Sequence, residues 1–239
     1  MLQHETVDGV TTLTLNRPEK GNALSAELVD ALIEGVTRTV ADQHVAALVI
    51  NANGAHFCTG FDLSTLATSS EGDLLQRFVR VEQLLQLLWT APIRTVAVVQ
   101  GRTWGAGADI FASCEVRLCA ADTTFRFPGA RFGIVLGSRR LAERVGTDTA
   151  RRWILDGAET AAEAALTMGF ATCVINEGER TAVVAASVSQ AIDRDTGAAI
   201  RALTRKDQSD RDMAELVRSA SRPGLKGRIE AYVAGLRKR

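Results

Sequence analysis

The sequence predicts an α/β protein. Two short, continuous apolar runs, residues 46–50 (AALVI) and 95–99 (TVAVV), have strand length and no polar alternation, as strands covered on both faces do. Stretches with helical periodicity separate them, and each run leads into a turn containing glycine. Buried strands alternating with helices build a parallel sheet with helices packed upon it.

The first strand is residues 11–15 (TTLTL), where threonine and leucine alternate with period two. Residues 17–21 (RPEKG) have turn chemistry. From 25 to about 41, Leu28, Leu32, Ile33 and Val36 mark one face of a helix with Ser25 as its N-cap. The strand at 46–50 follows, then a loop from Asn51 to His56. A helix spans 73–89 and carries Leu84, Leu85, Leu87 and Leu88. After the strand at 95–99, residues 101–107 form a loop that opens another helix, and 116–119 is a further short strand. Beyond about 138 the pattern is mostly helical. Thr160-Ala-Ala-Glu163 has the form of a capping box. Residues 171–175 are the one late strand, and 181–220 are helical with a break near Thr196-Gly197. Arg222-Pro-Gly224 interrupts the chain before a final helix over 225–239. No repeat or long linker divides the sequence. Residues 1–180 are therefore expected to form the core, and 181–239 a helical region of the same domain.

Composition excludes several classes. Among 239 residues, 28 Lys and Arg balance 28 Asp and Glu, which gives no global drive toward nucleic acid or an anionic membrane. No apolar run approaches the ~18 residues of a membrane helix. The opening MLQHETVDGV lacks the basic flank and apolar stretch of a signal peptide, so a cytoplasmic protein is expected. Cys58, Cys114, Cys119 and Cys173 form no C-x-x-C, and His4, His44 and His56 are the only histidines. A zinc site is poorly supplied, and so is Ser–His or Cys–His catalysis. The cysteines read as reduced, mostly buried small apolar residues.

The most informative segment runs from the strand at 95–99 through Gly101-Arg-Thr-Trp-Gly105-Ala-Gly107 into a helix. Glycines flanking Ala106 let backbone approach a ligand. The first N–H groups of the helix have no internal partners, and its dipole adds partial positive charge, which suits an anion or a developing oxyanion. The glycine spacing is similar to the pyrophosphate turn of short-chain dehydrogenases. That turn, however, follows a first strand, and the family needs a Tyr with Lys four residues on. The only tyrosine here is Tyr232, with Leu at 236. Tight helix–strand packing is the plainer alternative. A second turn, Gly54-Ala-His-Phe57-Cys-Thr-Gly60-Phe61-Asp62-Leu63, also follows a buried strand. Gly60 permits a sharp bend and Asp62 is placed to cap a following helix. Two such turns can aim two backbone N–H groups at one carbonyl oxygen.

These segments resemble the enoyl-CoA hydratase/isomerase family, the crotonase superfamily. The resemblance is carried by Leu15-Asn-Arg-Pro-Glu-Lys-Gly-Asn-Ala-Leu24, Phe57-Cys-Thr-Gly-Phe-Asp-Leu63 and Gln100-Gly-Arg-Thr-Trp-Gly-Ala-Gly107. It continues through Phe125-Arg-Phe-Pro128, Phe132-Gly133 and Leu136-Gly-Ser-Arg-Arg-Leu141, and covers most of residues 1–175. It implies a spiral of ββα turns with a C-terminal helical region, assembled as trimers or dimers of trimers. It implies an oxyanion hole made by the backbone N–H groups of Phe61 and Ala106. Coenzyme A would lie along Lys20, Ala23, Leu24, Thr59, Gly60, Phe61, Asp62 and Leu63. The thioester would thread between the turns, near Trp104, Gly105, Ala106, Pro128 and Gly129. The acyl-CoA is the substrate; no metal or redox cofactor is implied, and neither a nucleic acid nor a membrane is an expected partner.

The sequence departs from the family at its acid–base residues. Hydratases of the family carry two glutamates; here the first position is Asp109 and the second, after Pro128, is Gly129. Water addition needs both an acid and a base, whereas one carboxylate can shuttle a proton between carbons. Asp109 is the leading candidate, with dipole complementation as its plainer role. Glu82 is the second: Phe78, Val79, Leu85 and Gln86 offer no basic partner at helical spacing, although Arg77 and Arg80 are near. Trp104 is expected to wall the acyl pocket and His56 to face solvent. Arg131 and Arg139 suggest trimer salt bridges or anion contacts, Arg140 a structural role. The basic end, Leu236 to Arg239, reads as a solvated helix terminus or a phosphate contact. An isomerase-like acyl-CoA enzyme is the favoured function. A hydrolase or decarboxylase on the same scaffold, or a non-catalytic acyl-CoA binder, are the alternatives.

Overall fold

The computed structural model describes residues 1–176 and 178–236. Its class is α/β, as the sequence predicts. β1 (Leu2–Val7) and β2 (Val10–Leu15) pair antiparallel. They are joined by Asp8-Gly9, both at positive φ (48° and 74°), which a two-residue hairpin turn requires. β2 is the expected first strand. β1 has no counterpart among the expectations, because nearly every side chain on this edge strand is exposed and no apolar alternation marks it.

α1 (Ala26–Ala41) follows, with Ser25 Oγ accepting the Leu28 N–H as expected of the N-cap. β3 (Ala47–Ala52), α2 (Glu71–Thr90) and β4 (Arg94–Val99) come next. A reciprocal capping box between Ser70 and Asp73 starts α2 earlier than the apolar pattern does. Then come β5 (Arg102–Trp104), α3 (Ala106–Ser113), β6 (Val116–Ala120) and β7 (Thr124–Arg126). The large sheet has the order β1-β2-β3-β4-β6-β9, where β9 is Cys173–Ile175, and every pair beyond β1-β2 is parallel. A small sheet holds β5, β7 and β8 (Thr160–Ala161). Bridges at Leu24↔Phe61 and Cys58↔Thr103 continue that ladder back to the earlier turn. Successive passes of the chain lay a strand in the large sheet, an extended segment in the small ladder and a helix outside, which makes a spiral.

Four local expectations are corrected. The loop over 101–107 contains β5. Asp62 caps no helix; its Oδ1 accepts the Ser64 N–H and its Oδ2 pairs with Arg17 at 3.1 Å. Thr160 caps nothing either, because it pairs with Phe125 in the small sheet, and α6 (Ala162–Thr167) starts after Ala161 without a side-chain cap. Thr196-Gly197 lies inside α8 (Arg194–Thr204), and the breaks fall on either side, after α7 (Arg180–Val188) and before α9 (Ser209–Ala220). Gly197 is there for space: a Cβ would come within 2.7 Å of Arg201 Nη1.

α4 (Ser138–Val145) and α5 (Thr147–Asp156) complete the middle of the chain, and α10 (Leu225–Leu236) its end. Arg237, Lys238 and Arg239 of the basic terminus lie outside the described residues. The main core, including Leu13, Leu28, Leu48, Leu84 and Phe111, fills the space between the large sheet and its helices. Each such fully buried side chain contributes about 1.5–3 kcal/mol. A second cluster joins α2, α9 and α10 through Phe78, Phe132, Leu216 and Ile229. Among the described residues no helix is long and apolar enough to cross a membrane. No group of three or more His, Cys, Asp and Glu among them is placed to hold a metal ion.

Candidate active site

The two glycine turns lie against each other because the small ladder sets them in register. Cys58 N–H donates to Arg102 O (3.2 Å) and Trp104 N–H to Cys58 O (2.9 Å). Counting on from that bridge, Phe61 and Ala106 are equally far along neighbouring segments. Gly60 (φ +100°) and Gly105 (φ +52°) make the contact possible: a Cβ on Gly60 would sit 3.1 Å from Trp104 O, and one on Gly105 3.8 Å from Gly60 Cα. On its far side the first turn is held by Leu24, whose N–H donates to Gly60 O (2.8 Å) and whose carbonyl accepts from Asp62 N–H (3.1 Å). In a parallel bridge of that pattern the amide of the middle residue, Phe61, faces away from Leu24. Among the described residues neither the Phe61 nor the Ala106 N–H donates to a protein acceptor. Both residues line one cavity of about 260 Å³.

Asp109 stands on the wall of that cavity, on the first turn of α3, 4 % exposed. Its Oδ1 is buried with no hydrogen-bond partner among the described residues. Gly137 (φ +67°) faces it: a Cβ at 137 would lie 2.0 Å from that oxygen and 2.6 Å from Cγ. The carboxyl thus occupies the space a side chain at 137 would need. Burial pushes the Asp109 carboxyl well above the usual range; the Arg140 charge pulls it back and the Glu82 charge pushes it further up. Gly137→Ala is expected to displace the carboxyl and lower turnover about 10²-fold, the scale of a 1 Å misplacement. Steady-state kinetics alongside circular dichroism checks this.

Glu82 does not line the cavity. It is buried beside it in a bidentate pair with the fully buried Arg140 (Nη2–Oε1 2.7 Å, Nη1–Oε2 3.1 Å). Its Oε1 also accepts from Gln86 Nε2 at 3.1 Å. The basic partner missing at helical spacing is supplied by α4. Arg139 pairs within the chain, with Asp212 at 2.7 Å and Glu143 at 2.9 Å, and Asp212 reaches Arg140 at 3.4 Å. Against the cost of burial, bonds from Ser64 and Arg17 hold the Asp62 carboxyl below its usual range. Burial pushes the Cys58 thiol up to about 12, so no thiolate stands beside the first turn.

Of the residues singled out for coenzyme A, Thr59, Gly60, Phe61, Leu63, Trp104, Gly105, Ala106, Pro128 and Gly129 line the cavity. Leu24 borders a separate cleft with Phe61, Arg77 and Arg80. Lys20, Ala23 and Asp62 line neither. Their loop is braced from within: Asn22, at φ 51°, donates to Asn53 O and His56 O, and Arg17 Nη1 donates to Ala23 O. His56 is half-buried rather than free, its Nδ1 accepting the Arg102 N–H at 3.2 Å. Arg131 donates to Asp156 O at 3.0 Å. Sequence reasoning missed Gly137, Arg102, Arg126 and Phe127 on the cavity wall.

Two segments paired in register, an amide pair free of protein acceptors among the described residues and a buried carboxyl beside them thus share one cavity of an α/β spiral. The family model for enoyl-CoA hydratase/isomerase matches residues 5–222. The chain belongs to that family, the crotonase superfamily. A crystal structure of an enoyl-CoA hydratase/isomerase-type protein from Bordetella parapertussis superposes with a TM-score of 0.95 at 42 % identity, covering 98 % of both chains. The Mycobacterium tuberculosis protein named "Probable enoyl-CoA hydratase echA6" is 33 % identical over 167 residues, 69 % of this chain and 66 % of that protein. Ethylmalonyl-CoA decarboxylase of Mus musculus is 30 % identical over 73 % of this chain and 55 % of its own length. The chain thus matches somewhat under two thirds of these curated relatives.

Proposed function

We propose that the protein is an acyl-CoA enzyme that polarises the thioester carbonyl between the Phe61 and Ala106 amides and moves a proton with Asp109. Coenzyme A would run along the segments at 20–24 and 59–63, and the acyl group would enter the cavity. The observation that carries this reading is the Asp109 carboxyl, buried on the cavity wall three residues beyond Ala106, with an oxygen free for a guest atom. Donors aimed at a developing enolate oxygen lower the barrier to taking the α-proton, and removing one such donor elsewhere costs about 10²–10³-fold. With Gly129 at the position of the second carboxylate and Glu82 tied to Arg140, one group serves as acid and base in turn. That favours double-bond isomerisation over water addition.

The test is to incubate the protein with 3-enoyl- and 2-enoyl-CoA thioesters in D₂O. Conversion of the first, with deuterium entering the α or γ carbon, is expected; hydration of the second without isomerisation would overturn the assignment. Gly129 also favours a second reading, decarboxylation or thioester hydrolysis, since neither needs the second carboxylate. Release of free coenzyme A, followed with a thiol reagent, or of carbon dioxide separates it. Assembly as a trimer or a dimer of trimers is part of the proposal, and sedimentation velocity tests it.

A further inference from the structure

One face of the small sheet carries chemistry that proton transfer does not use. β5 and β7 pair in the register Arg102↔Thr124, Thr103↔Phe125 and Trp104↔Arg126. Alternation turns the buried Thr103 and Phe125 to one side. Arg102, Trp104, Thr124 and Arg126 share the other. Trp104 Nε1 donates to Thr124 Oγ1 across the diagonal at 3.1 Å. The indole therefore lies between the two arginines, whose guanidinium carbons sit 4.9 Å (Arg102) and 5.7 Å (Arg126) from its ring centroid. Both arginines and Trp104 line the same cavity as the glycine turns.

Elsewhere in the chain, arginines near the site are matched by carboxylates: Arg17 by Asp62, Arg139 by Asp212, Arg140 by Glu82. Arg102 and Arg126 have no carboxylate within 4.0 Å among the described residues. Arg126 spends only its Nε, on Gly157 O at 3.1 Å. Two like charges held by one indole at the mouth of an apolar cavity leave their forked donors for an anion.

We propose that Arg102 and Arg126 form a carboxylate subsite, so that the substrates are acyl-CoA thioesters whose acyl part ends in a second carboxylate. This rests on the acyl-CoA reading above. Trp104 is two residues before Ala106, about 7 Å of extended chain. An ω-carboxylate on a five- or six-carbon acyl group spans that interval. The pantetheine arm of coenzyme A, when extended, separates the diphosphate from the thioester by well over that interval.

The experiment measures binding of glutaryl- and adipoyl-CoA against pentanoyl- and hexanoyl-CoA, by calorimetry, to the wild type and to Arg102→Gln. Arg102 is exposed and its side chain makes no hydrogen bond, so folding is not at stake. The expected result is a preference of about tenfold or more for the dicarboxylic ligands, falling to within about twofold of parity in the variant. Equal binding of both kinds to the wild type would overturn the subsite while leaving the acyl-CoA reading standing. Equal weakening of all four ligands and of free coenzyme A in the variant would assign the anion to the coenzyme's phosphates and also overturn it. No binding of any thioester would overturn the parent reading instead.

Discussion

Asp109→Asn is expected to lower the rate of α-proton transfer by about 10²–10⁴-fold, the usual contribution of a positioned acid–base group. Asparagine fills the same slot over Gly137, so the loss reports chemistry rather than packing. Two pH measurements belong with it. A base must be ionised, so wild-type kcat/KM should fall as pH drops through the raised Asp109 pKa. That limb should vanish from the residual activity of the variant. Stability should move the other way. The native chain holds a proton on Asp109 that the unfolded chain releases above about pH 4. The associated stability is complete below that pH and is lost as pH rises through the native pKa. Asp109→Asn removes the penalty of ionising a buried carboxyl, so urea titrations from about pH 4 upward should show a flatter profile than the wild type. Undiminished exchange of the α-proton in the variant would remove Asp109 from the mechanism.

Arg140→Leu is expected to cost about 3–5 kcal/mol, because it strands the Glu82 carboxylate beneath the cavity without a counter-ion. Equilibrium urea unfolding measures it. The double substitution Glu82→Leu with Arg140→Leu should recover most of that loss, since an apolar pair of similar volume avoids both desolvation costs. The ion pair is incompletely satisfied as it stands: Arg140 Nε is buried without an acceptor among the described residues. Activity separates its two effects. Arg140 also holds the Asp109 carboxyl down, so the acid limb of the rate profile should shift upward in the single variant even where enough folded protein remains to assay.

The fold was legible in the sequence where burial left a mark on the apolar pattern. Residues 46–50 and 95–99 announce β3 and β4 because both faces of those strands are covered. β1 announces nothing in its side chains, and the only signal for it is the Asp8-Gly9 hairpin turn. β5 and β8 are too short for any periodicity and exist through pairing with β7. The break placed at Gly197 shows the converse: a glycine needed for room beside Arg201 looks, in sequence, like a helix stop. At the site, the two turns could be read from their glycines. The partner of Glu82 could not, because a contact between α2 and α4 leaves no local spacing to find. Gly137 was quoted as part of a motif, but its purpose is visible only once Asp109 is seen in the volume its side chain would claim.

The in-register ladder through Cys58 and Thr103 has a mechanical consequence. Bridged strands stand about 4.8 Å apart, and the Cys58–Thr103 bridge sets the two segments at that spacing three residues before Phe61 and Ala106. The bonds between Cys58, Arg102 and Trp104 tie the two segments together, so in the proposed function the two amides would shift as a pair rather than independently. Asp109, the proton carrier of the proposed function, rides on α3, outside that ladder. On the proposed reading, one set of reactive side chains can be exchanged for another, and with it one reaction for another, without altering the paired turns.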